Sequence, residues 1–254
     1  MIDKPNTFIC ISCHKEEQPL FVDWGEYIKD SELKEKMPKG WYFEGHVEMK
    51  LCGECLRKEK AASECQERQL RILRDSGLPS PLYKKTFENF VVSESLRGIY
   101  DRLRDNYDSL KKGYYMFGET GTGKTHLISA YLNQRAKMGT SFAFWKEPDF
   151  FDDVYNFQSE TLIRAKNESI LVIDDLGTSV CKDWRGEKLY EVIDFRCDSH
   201  KLTFFTSNLS PYHYREKLES MVQELGKKMV SRILELCDVY KFDGDEDWRL
   251  KNGN

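Results

Sequence analysis

The sequence predicts an α/β fold in which a mostly parallel, five-stranded sheet is covered by helices on both faces. Short apolar runs alternate with amphipathic segments along the second half of the chain, which is typical of such sheets. A glycine-rich loop joins one apolar run directly to the helix-like segment after it. In sheets of this kind, ligands bind beyond the carboxyl ends of the strands.

The predicted elements follow one another in regular order. Strands are expected at residues 114–117, 141–145, 170–174, 202–206 and 239–242. Helices are expected at residues 54–74, 93–110, 124–137, 147–156, 185–199 and 226–236.

The length of the chain predicts more than one folding unit. Its 254 residues exceed the usual domain size of about 100 to 150 residues, and 40% apolar residues suffice for a core. We expect a small module at residues 1–60, a linker helix and loop at 61–85, and a nucleotide-binding domain at 86–254.

Composition restricts the class of protein. The formal net charge of −4 argues against a protein that coats nucleic acid by bulk electrostatics, so DNA contact would need a local patch. Residues 57–85 carry eight basic and four acidic side chains, which fits either a solvated linker or such a patch. No apolar run of about 18 residues exists and the first residues do not resemble a secretory signal, so we expect a soluble cytoplasmic protein without membrane contact.

The loop at residues 118–125 reads Gly-Glu-Thr-Gly-Thr-Gly-Lys-Thr and predicts nucleotide binding. Its glycines let backbone N–H groups converge on phosphate oxygens, Lys124 adds positive charge at the β and γ phosphates, and Thr125 offers a hydroxyl to Mg²⁺. The alternative is a plain glycine-rich turn. The predicted nucleotide-binding residues are Gly118, Glu119, Thr120, Gly121, Thr122, Gly123, Lys124, Thr125 and His126.

Polar side chains at the ends of two later strands predict the rest of the site. Asp174 and Asp175 follow a buried strand; we assign Asp174 to Mg²⁺ and Asp175 to the attacking water. Asn208 ends the next strand and is expected to orient that water or to touch the γ phosphate. Taken singly, an Asp-Asp pair or an Asn after a strand also fits an ordinary turn.

Two Cys-x-x-Cys pairs near the amino terminus predict a structural zinc site with four thiolate ligands. The pairs are 38 residues apart, more than the common spacing of about 15 to 20, so the intervening segment must have its own structure. His14 and His46 are possible substitutes for one thiolate, and free buried thiols or a redox pair are the alternatives. The predicted zinc ligands are Cys10, Cys13, Cys52 and Cys55; the other four cysteines are expected to pack as small hydrophobes.

The order of elements resembles the AAA+ ATPases, in particular the bacterial and phage DnaC/DnaI-type helicase loaders and their relative, the transposition helper IstB. The resemblance extends over about residues 71–249. Six motifs carry it, at residues 73–79 (LRDSGLP), 86–90 (TFENF), 118–125 (GETGTGKT), 173–177 (IDDLG), 190–196 (YEVIDFR) and 206–210 (TSNLS).

The resemblance implies an AAA+ P-loop ATPase with a short lid and slow, assembly-dependent ATP hydrolysis. It assigns an arginine finger, the cation that a neighbouring subunit supplies to the phosphates, to Arg232, and a nucleotide-sensing arginine to Arg249. Both positions also fit ordinary surface charges. Many AAA+ proteins have glutamate where Asp175 stands, and the shorter side chain is consistent with slow turnover.

The function implied is ATP-dependent loading of a hexameric replicative helicase onto single-stranded DNA, with the helicase bound through the amino-terminal zinc module. A transposition helper that binds DNA and recruits a transposase is the alternative, and a weakly hydrolysing, zinc-stapled helicase adaptor is the third. Aromatic residues at 142–157 fit either core packing or stacking on DNA bases. A second candidate DNA contact comprises Lys182, Trp184 and Arg185.

Overall fold

The structure is a computed structural model that describes residues 8–9, 16–17, 53–105, 109–178, 184–211 and 225–243. The chain divides into two compact units, residues 1–67 and 68–254. In the first, strands β1 (Phe8–Ile9) and β2 (Glu16–Glu17) pair antiparallel. The predicted zinc ligands Cys10, Cys13 and Cys52 lie outside the described residues, as does the side chain of Cys55.

The second unit contains the predicted five-stranded sheet. Its strands are β3 (Gly113–Gly118), β4 (Phe142–Lys146), β5 (Ile170–Leu176), β6 (Leu202–Ser207) and β7 (Cys237–Phe242). They lie in the order β4-β5-β6-β3-β7, and every neighbouring pair is parallel. Because all five point the same way, their carboxyl ends meet along one edge of the sheet.

Seven α-helices are described. They are α1 (Gly53–Asp75), α2 (Arg97–Asp105), α3 (Lys124–Lys137), α4 (Glu147–Asn156), α5 (Gln158–Asn167), α6 (Trp184–Asp198) and α7 (Lys227–Leu236). Short 3-10 helices occupy Ser80–Lys84 and Glu94–Leu96.

The structure differs from the predicted helices in two places. The helix expected at residues 93–110 is a 3-10 turn followed by the shorter α2. Helix α5 was not predicted, because it buries only Thr161, Leu162 and Ala165 and so has a weak apolar period.

The sheet has a hydrophobic core on each face, as alternation along β3 illustrates. Tyr115 and Phe117 belong to the core shared with α4, α5, α6 and α7. Tyr114 and Met116 belong to the core shared with α2 and α3. Both faces are therefore covered, which explains why the strands are apolar throughout and not alternating.

A fully buried arginine connects several elements at the amino-terminal edge of the sheet, the edge opposite the carboxyl ends of the strands. Arg196, the last residue of one motif that carries the family resemblance, donates to Thr203 Oγ1 at 2.8 Å and to the Ala165 carbonyl at 2.9 Å. It also donates to the Glu168 carbonyl at 2.9 Å and the Leu202 carbonyl at 2.6 Å. Burial lowers the pKa of Arg196 to about 10. These bonds join α5, α6 and β6, so Arg196 is structural.

The remaining cysteines divide by environment. Cys197 and Cys237 are buried, as expected of small hydrophobes. Cys65 is exposed, so the packing prediction was wrong there, because α1 is largely solvated around it. Cys181 lies outside the described residues. No helix in the described ranges is long and apolar enough to cross a membrane.

Candidate nucleotide-binding site

The phosphate loop, residues 118–125, leaves the end of β3 and enters α3. Gly123 precedes the helix with φ of 94°, a left-handed conformation that side chains other than glycine rarely adopt. A Cβ atom there would lie 3.0 Å from the ring of Phe90. The loop is thus packed against residues 86–90, and α3 begins with backbone N–H groups that have no partner within the helix.

Lys124 is buried inside this loop, with 5% of its surface exposed. Its ammonium donates to the carbonyls of Gly118 at 2.8 Å and Glu119 at 2.7 Å. It also donates to Asn208 Oδ1 at 3.2 Å. The predicted lysine and the predicted asparagine therefore lie side by side, because β6 is the neighbour of β3 in the sheet.

The acidic turn, residues 174–178, lies beside the loop. Asp174 Oδ1 accepts hydrogen bonds from the hydroxyls of Thr125 at 2.9 Å and Thr206 at 2.6 Å. Burial raises the pKa of Asp174, against the opposing effect of the Thr206 hydrogen bond. Asp175 has φ of 58°, and its N–H donates to Thr206 Oγ1 at 2.9 Å.

Oxygen atoms suited to Mg²⁺ converge at this point. The Thr125 hydroxyl and the Asp174 carboxylate are hard oxygen ligands, which Mg²⁺ prefers, and they are in hydrogen-bond contact. The part of the chain that the structure describes has no group of three or more His, Cys, Asp or Glu side chains placed to hold a metal. Mg²⁺ binding by Thr125 and Asp174 stays a prediction.

Two residues that contact the predicted site were given no role from the sequence. Thr206 bridges Asp174 and Asp175, yet within an apolar strand it looks like an ordinary β-branched residue. Glu147 is fully buried, and it accepts hydrogen bonds from Gly177 N at 3.0 Å and Thr178 Oγ1 at 3.1 Å. An acid in the first turn of a helix is so common that its position carries no signal.

His126 binds the segment that precedes the sheet. Its Nε2 lies 2.9 Å from Asn89 Oδ1 and 3.3 Å from the Thr86 carbonyl. Both partners are acceptors, so Nε2 carries the hydrogen. Burial lowers the pKa of His126, and Lys85 acts in the same direction. The motif at residues 86–90 therefore packs on the start of α3, while nucleotide contact by His126 stays a prediction.

Arg232 lies on α7 and is paired with acids of its own chain. Its guanidinium is 2.8 Å from Asp194, 3.1 Å from Glu235 and 3.8 Å from Asp198. Hydrogen bonds to Tyr190 and Glu235, with the charge of Asp194, raise the pKa of Arg232 above its usual value. Within the described ranges, these contacts do not include the phosphate loop. Arg249 lies outside the described residues.

The aromatic segment on α4 divides between core and surface. Phe150, Phe151 and Val154 are buried, as core packing requires. Tyr155 is 80% exposed, and its ring lies 6.3 Å from Trp184. The Arg185 guanidinium lies 5.8 Å from the Trp184 ring centre. Lys182 lies outside the described residues, and DNA contact at this surface stays a prediction.

A family model and several relatives match the chain. The family model of the IstB-like ATP binding protein matches residues 43–254. The replicative helicase loader DnaI of Bacillus subtilis is 27% identical over 209 residues, 76% of this chain and 67% of DnaI. The replicative helicase loader DnaC of Escherichia coli is 24% identical over 188 residues, 68% of this chain and 74% of DnaC. The phage-like element protein XkdC of B. subtilis is 28% identical, and the match spans 60% of its length.

Solved structures share the fold. A crystal structure of DnaI superposes with a TM-score of 0.55 at 24% identity, covering 67% of this chain and 94% of that one. AMPPCP-bound DnaA from Aquifex aeolicus superposes with a TM-score of 0.56 at 23% identity, covering 66% of this chain and 53% of that one. The parallel sheet, its phosphate loop and these matches agree: the chain has the AAA+ P-loop fold and belongs to the family of IstB-like ATP binding proteins.

Proposed function

We propose that this chain is an ATP-dependent loader of a hexameric replicative helicase onto single-stranded DNA during replication initiation, acting in the cytoplasm. The observation that carries the proposal is the match to two replicative helicase loaders, DnaI and DnaC, over 76% and 68% of this chain. Part of each relative lies beyond the match, so the helicase partner does not follow from the match alone. It is part of the proposal.

ATP hydrolysis would use the site at the edge of the sheet. On binding, Lys124 would exchange the carbonyls of Gly118 and Glu119 for the phosphates, and Asn208 and Asp175 would orient the attacking water. Thr125 and Asp174 would hold Mg²⁺, which when bound neutralises charge on the phosphates. Because Asp175 is shorter than glutamate, we expect slow turnover.

Arg232 would complete the site in an assembly. A cation supplied by a neighbouring subunit stabilises the charge that develops on the transferred phosphoryl group. Arg232 is 32% exposed at its side chain, so a neighbour can reach it, and the proposed role requires self-assembly into an AAA+ oligomer. Arg249 is proposed as a second nucleotide contact from the same chain.

The amino-terminal module, residues 1–60, is proposed to bind zinc and the helicase. The connection between the paired strands β1 and β2 contains Cys10 and Cys13, and residue 55 lies at the start of α1. A structural Zn²⁺ held by Cys10, Cys13, Cys52 and Cys55 would stabilise a module too small for a large core. Residues 61–85 would link it to the ATPase domain, 86–254.

A transposition helper that recruits a transposase is the second candidate, because the family model that matches residues 43–254 is the IstB-like one. The two functions differ in the partner captured. A loader binds a hexameric helicase, whereas a helper assembles on duplex DNA without it. A weakly hydrolysing helicase adaptor would bind the helicase but show no ATP-dependent transfer to DNA.

The test is capture of the replicative helicase of the same host by the purified full-length chain. We expect capture by the wild-type protein, loss of capture and of about one bound zinc per chain in the Cys10→Ser/Cys13→Ser double variant, and no change in Cys65→Ser. Cys65 is an exposed thiol on α1 and serves as the matched control. Absence of helicase capture by wild type, with ATP-dependent assembly on duplex DNA, would favour the transposition helper.

A further inference from the structure

Glu147 is a buried carboxylate placed between two elements of the site. It is the first residue of α4, directly after β4, and none of its surface is exposed. Oε1 accepts the Gly177 N–H at 3.0 Å, and Oε2 accepts the Thr178 hydroxyl at 3.1 Å. A carboxylate is costly to bury unless it is hydrogen-bonded, so these two bonds offset the cost of burying Glu147. Their presence indicates that the Glu147 side chain has a specific role.

Its two partners belong to the acidic turn, which is held from two sides. On one side, Thr206 of β6 binds the Asp174 carboxylate and the Asp175 N–H. On the other, Glu147 binds Gly177 and Thr178. Asp175 is bound on the first side, and the residues bound on the second side, Gly177 and Thr178, follow it closely in the chain.

The backbone of Asp175 needs such support. Its φ of 58° is in the left-handed region, which costs a residue other than glycine about 1 kcal/mol or more. A conformation of this kind persists only where the surroundings impose it. Gly177, at φ of 90°, continues the turn with a glycine's freedom and presents its N–H to Glu147.

We propose that Glu147 is a positioning residue that fixes the acidic turn so that Asp175 points at the attacking water. The inference rests on the proposed ATPase function, in which Asp175 orients that water. Both described hydrogen bonds of Glu147 join it to the acidic turn, at Gly177 and Thr178. Its loss should therefore lower the rate of hydrolysis and leave the affinity for ATP nearly unchanged.

Two matched pairs of variants in the full-length chain separate positioning from folding. Glu147→Ala removes both acceptors, whereas Glu147→Gln keeps the volume and an oxygen for the Gly177 N–H. Thr178 is exposed, so Thr178→Ala removes one bond without opening the core, and Thr178→Ser keeps the hydroxyl. Phe150 and Phe151 anchor α4 independently of Glu147.

The measurements are kcat, the dissociation constant for ATP, and amide hydrogen exchange at Gly177 without nucleotide. For Glu147→Ala we expect kcat to fall about 10- to 100-fold, as small misplacements of catalytic groups produce, with affinity within about threefold of wild type. Exchange at Gly177 should accelerate. Thr178→Ala should lower kcat by a smaller factor, and Glu147→Gln and Thr178→Ser should recover most of the rate.

Each outcome decides a different point. Wild-type kcat in both alanine variants, in a wild-type protein that hydrolyses ATP, would overturn the inference. So would equal losses of affinity and kcat, or an unfolded Glu147→Ala together with an unaffected Thr178→Ala, because these show a purely structural residue. A wild-type chain that binds but does not hydrolyse ATP would instead remove the proposed ATPase function, and unchanged Gly177 exchange in Glu147→Ala would then refute the contact itself.

Discussion

Two cations of the predicted site, Lys124 on α3 and Arg232 on α7, have different partners. Lys124 donates to two backbone carbonyls and to the Asn208 side-chain amide. Arg232 is paired with carboxylates, Asp194 and Glu235 most closely. A phosphate competes more easily with neutral oxygens than with carboxylates for a cation. Lys124 and Asn208 already lie together within one chain, whereas Arg232, in its proposed role, would have to exchange its in-chain partners to act on a neighbour's nucleotide.

Lys124→Ala tests the nucleotide half and has the largest expected effect. Loss of a charged contact with the phosphates should weaken ATP binding about 10- to 100-fold and remove hydrolysis. The affinity is measured by titration with a fluorescent ATP analogue. Lys137→Ala, at the exposed far end of α3, is the matched control. Normal binding by the Lys124 variant would refute the site.

Asp174→Asn separates the proposed metal-binding role of Asp174 from a role in folding. An asparagine Oδ1 can still accept from Thr125 and Thr206, and it removes a buried charge, so the melting temperature without nucleotide should not fall. Mg²⁺-dependent hydrolysis should decrease about 100-fold or more, since a metal contributes several kcal/mol. Calorimetry and a phosphate-release assay measure the two effects. A large loss of stability with hydrolysis retained would reverse the assignment.

Arg232→Ala tests the other half of the comparison. We expect normal ATP binding and loss of only that part of the hydrolysis rate that rises with protein concentration. Lys228→Ala, an exposed cation on the same helix, should retain the rise. The rate is measured over a dilution series, and an unchanged series for the Arg232 variant would remove the finger role.

The smallest effect concerns His126 and pH. Burial lowers the pKa of His126 in the folded protein, so folding favours the neutral imidazole. The stability that depends on the neutral form is fully present above the usual pKa of 6.5, and it is lost as the pH falls through the lowered pKa. His126→Gln retains a donor for Asn89 and does not titrate. Its melting temperature should therefore fall less than that of wild type, by about 2 °C, between about pH 7 and pH 5. Equal falls in melting temperature for the variant and the wild type over this pH range would contradict the prediction.

Local signals made much of the fold predictable. Each strand was recognisable as a short apolar run, and the glycines of the phosphate loop follow β3 directly. The proximity of Asn208 to Lys124 followed from the rule that parallel strand ends meet at one edge. Thr206 and Glu147 could not be found this way, because their partners come from strands and turns about 30 residues away in sequence, as in the bonds to Asp175 and Gly177.

The acids around Arg232 illustrate the same limit. Asp194 and Asp198 lie on α6, and only the packing of α6 against α7 brings them to Arg232. A motif identifies the arginine, but the charges that compete for it depend on the tertiary structure. The zinc prediction differs in kind, since its ligands lie outside the described residues and it stays a prediction.

Mixing the Lys124→Ala and Arg232→Ala chains tests the central claim most directly. The Lys124→Ala chain retains Arg232, and the Arg232→Ala chain retains an intact nucleotide site. In a mixed assembly, Arg232 of the first chain can therefore complete the nucleotide site of the second. We predict an ATP hydrolysis rate for the equimolar mixture that exceeds the sum of the two variants measured separately. A mixture no faster than that sum, while wild-type hydrolysis rises with concentration, would contradict a site shared between subunits.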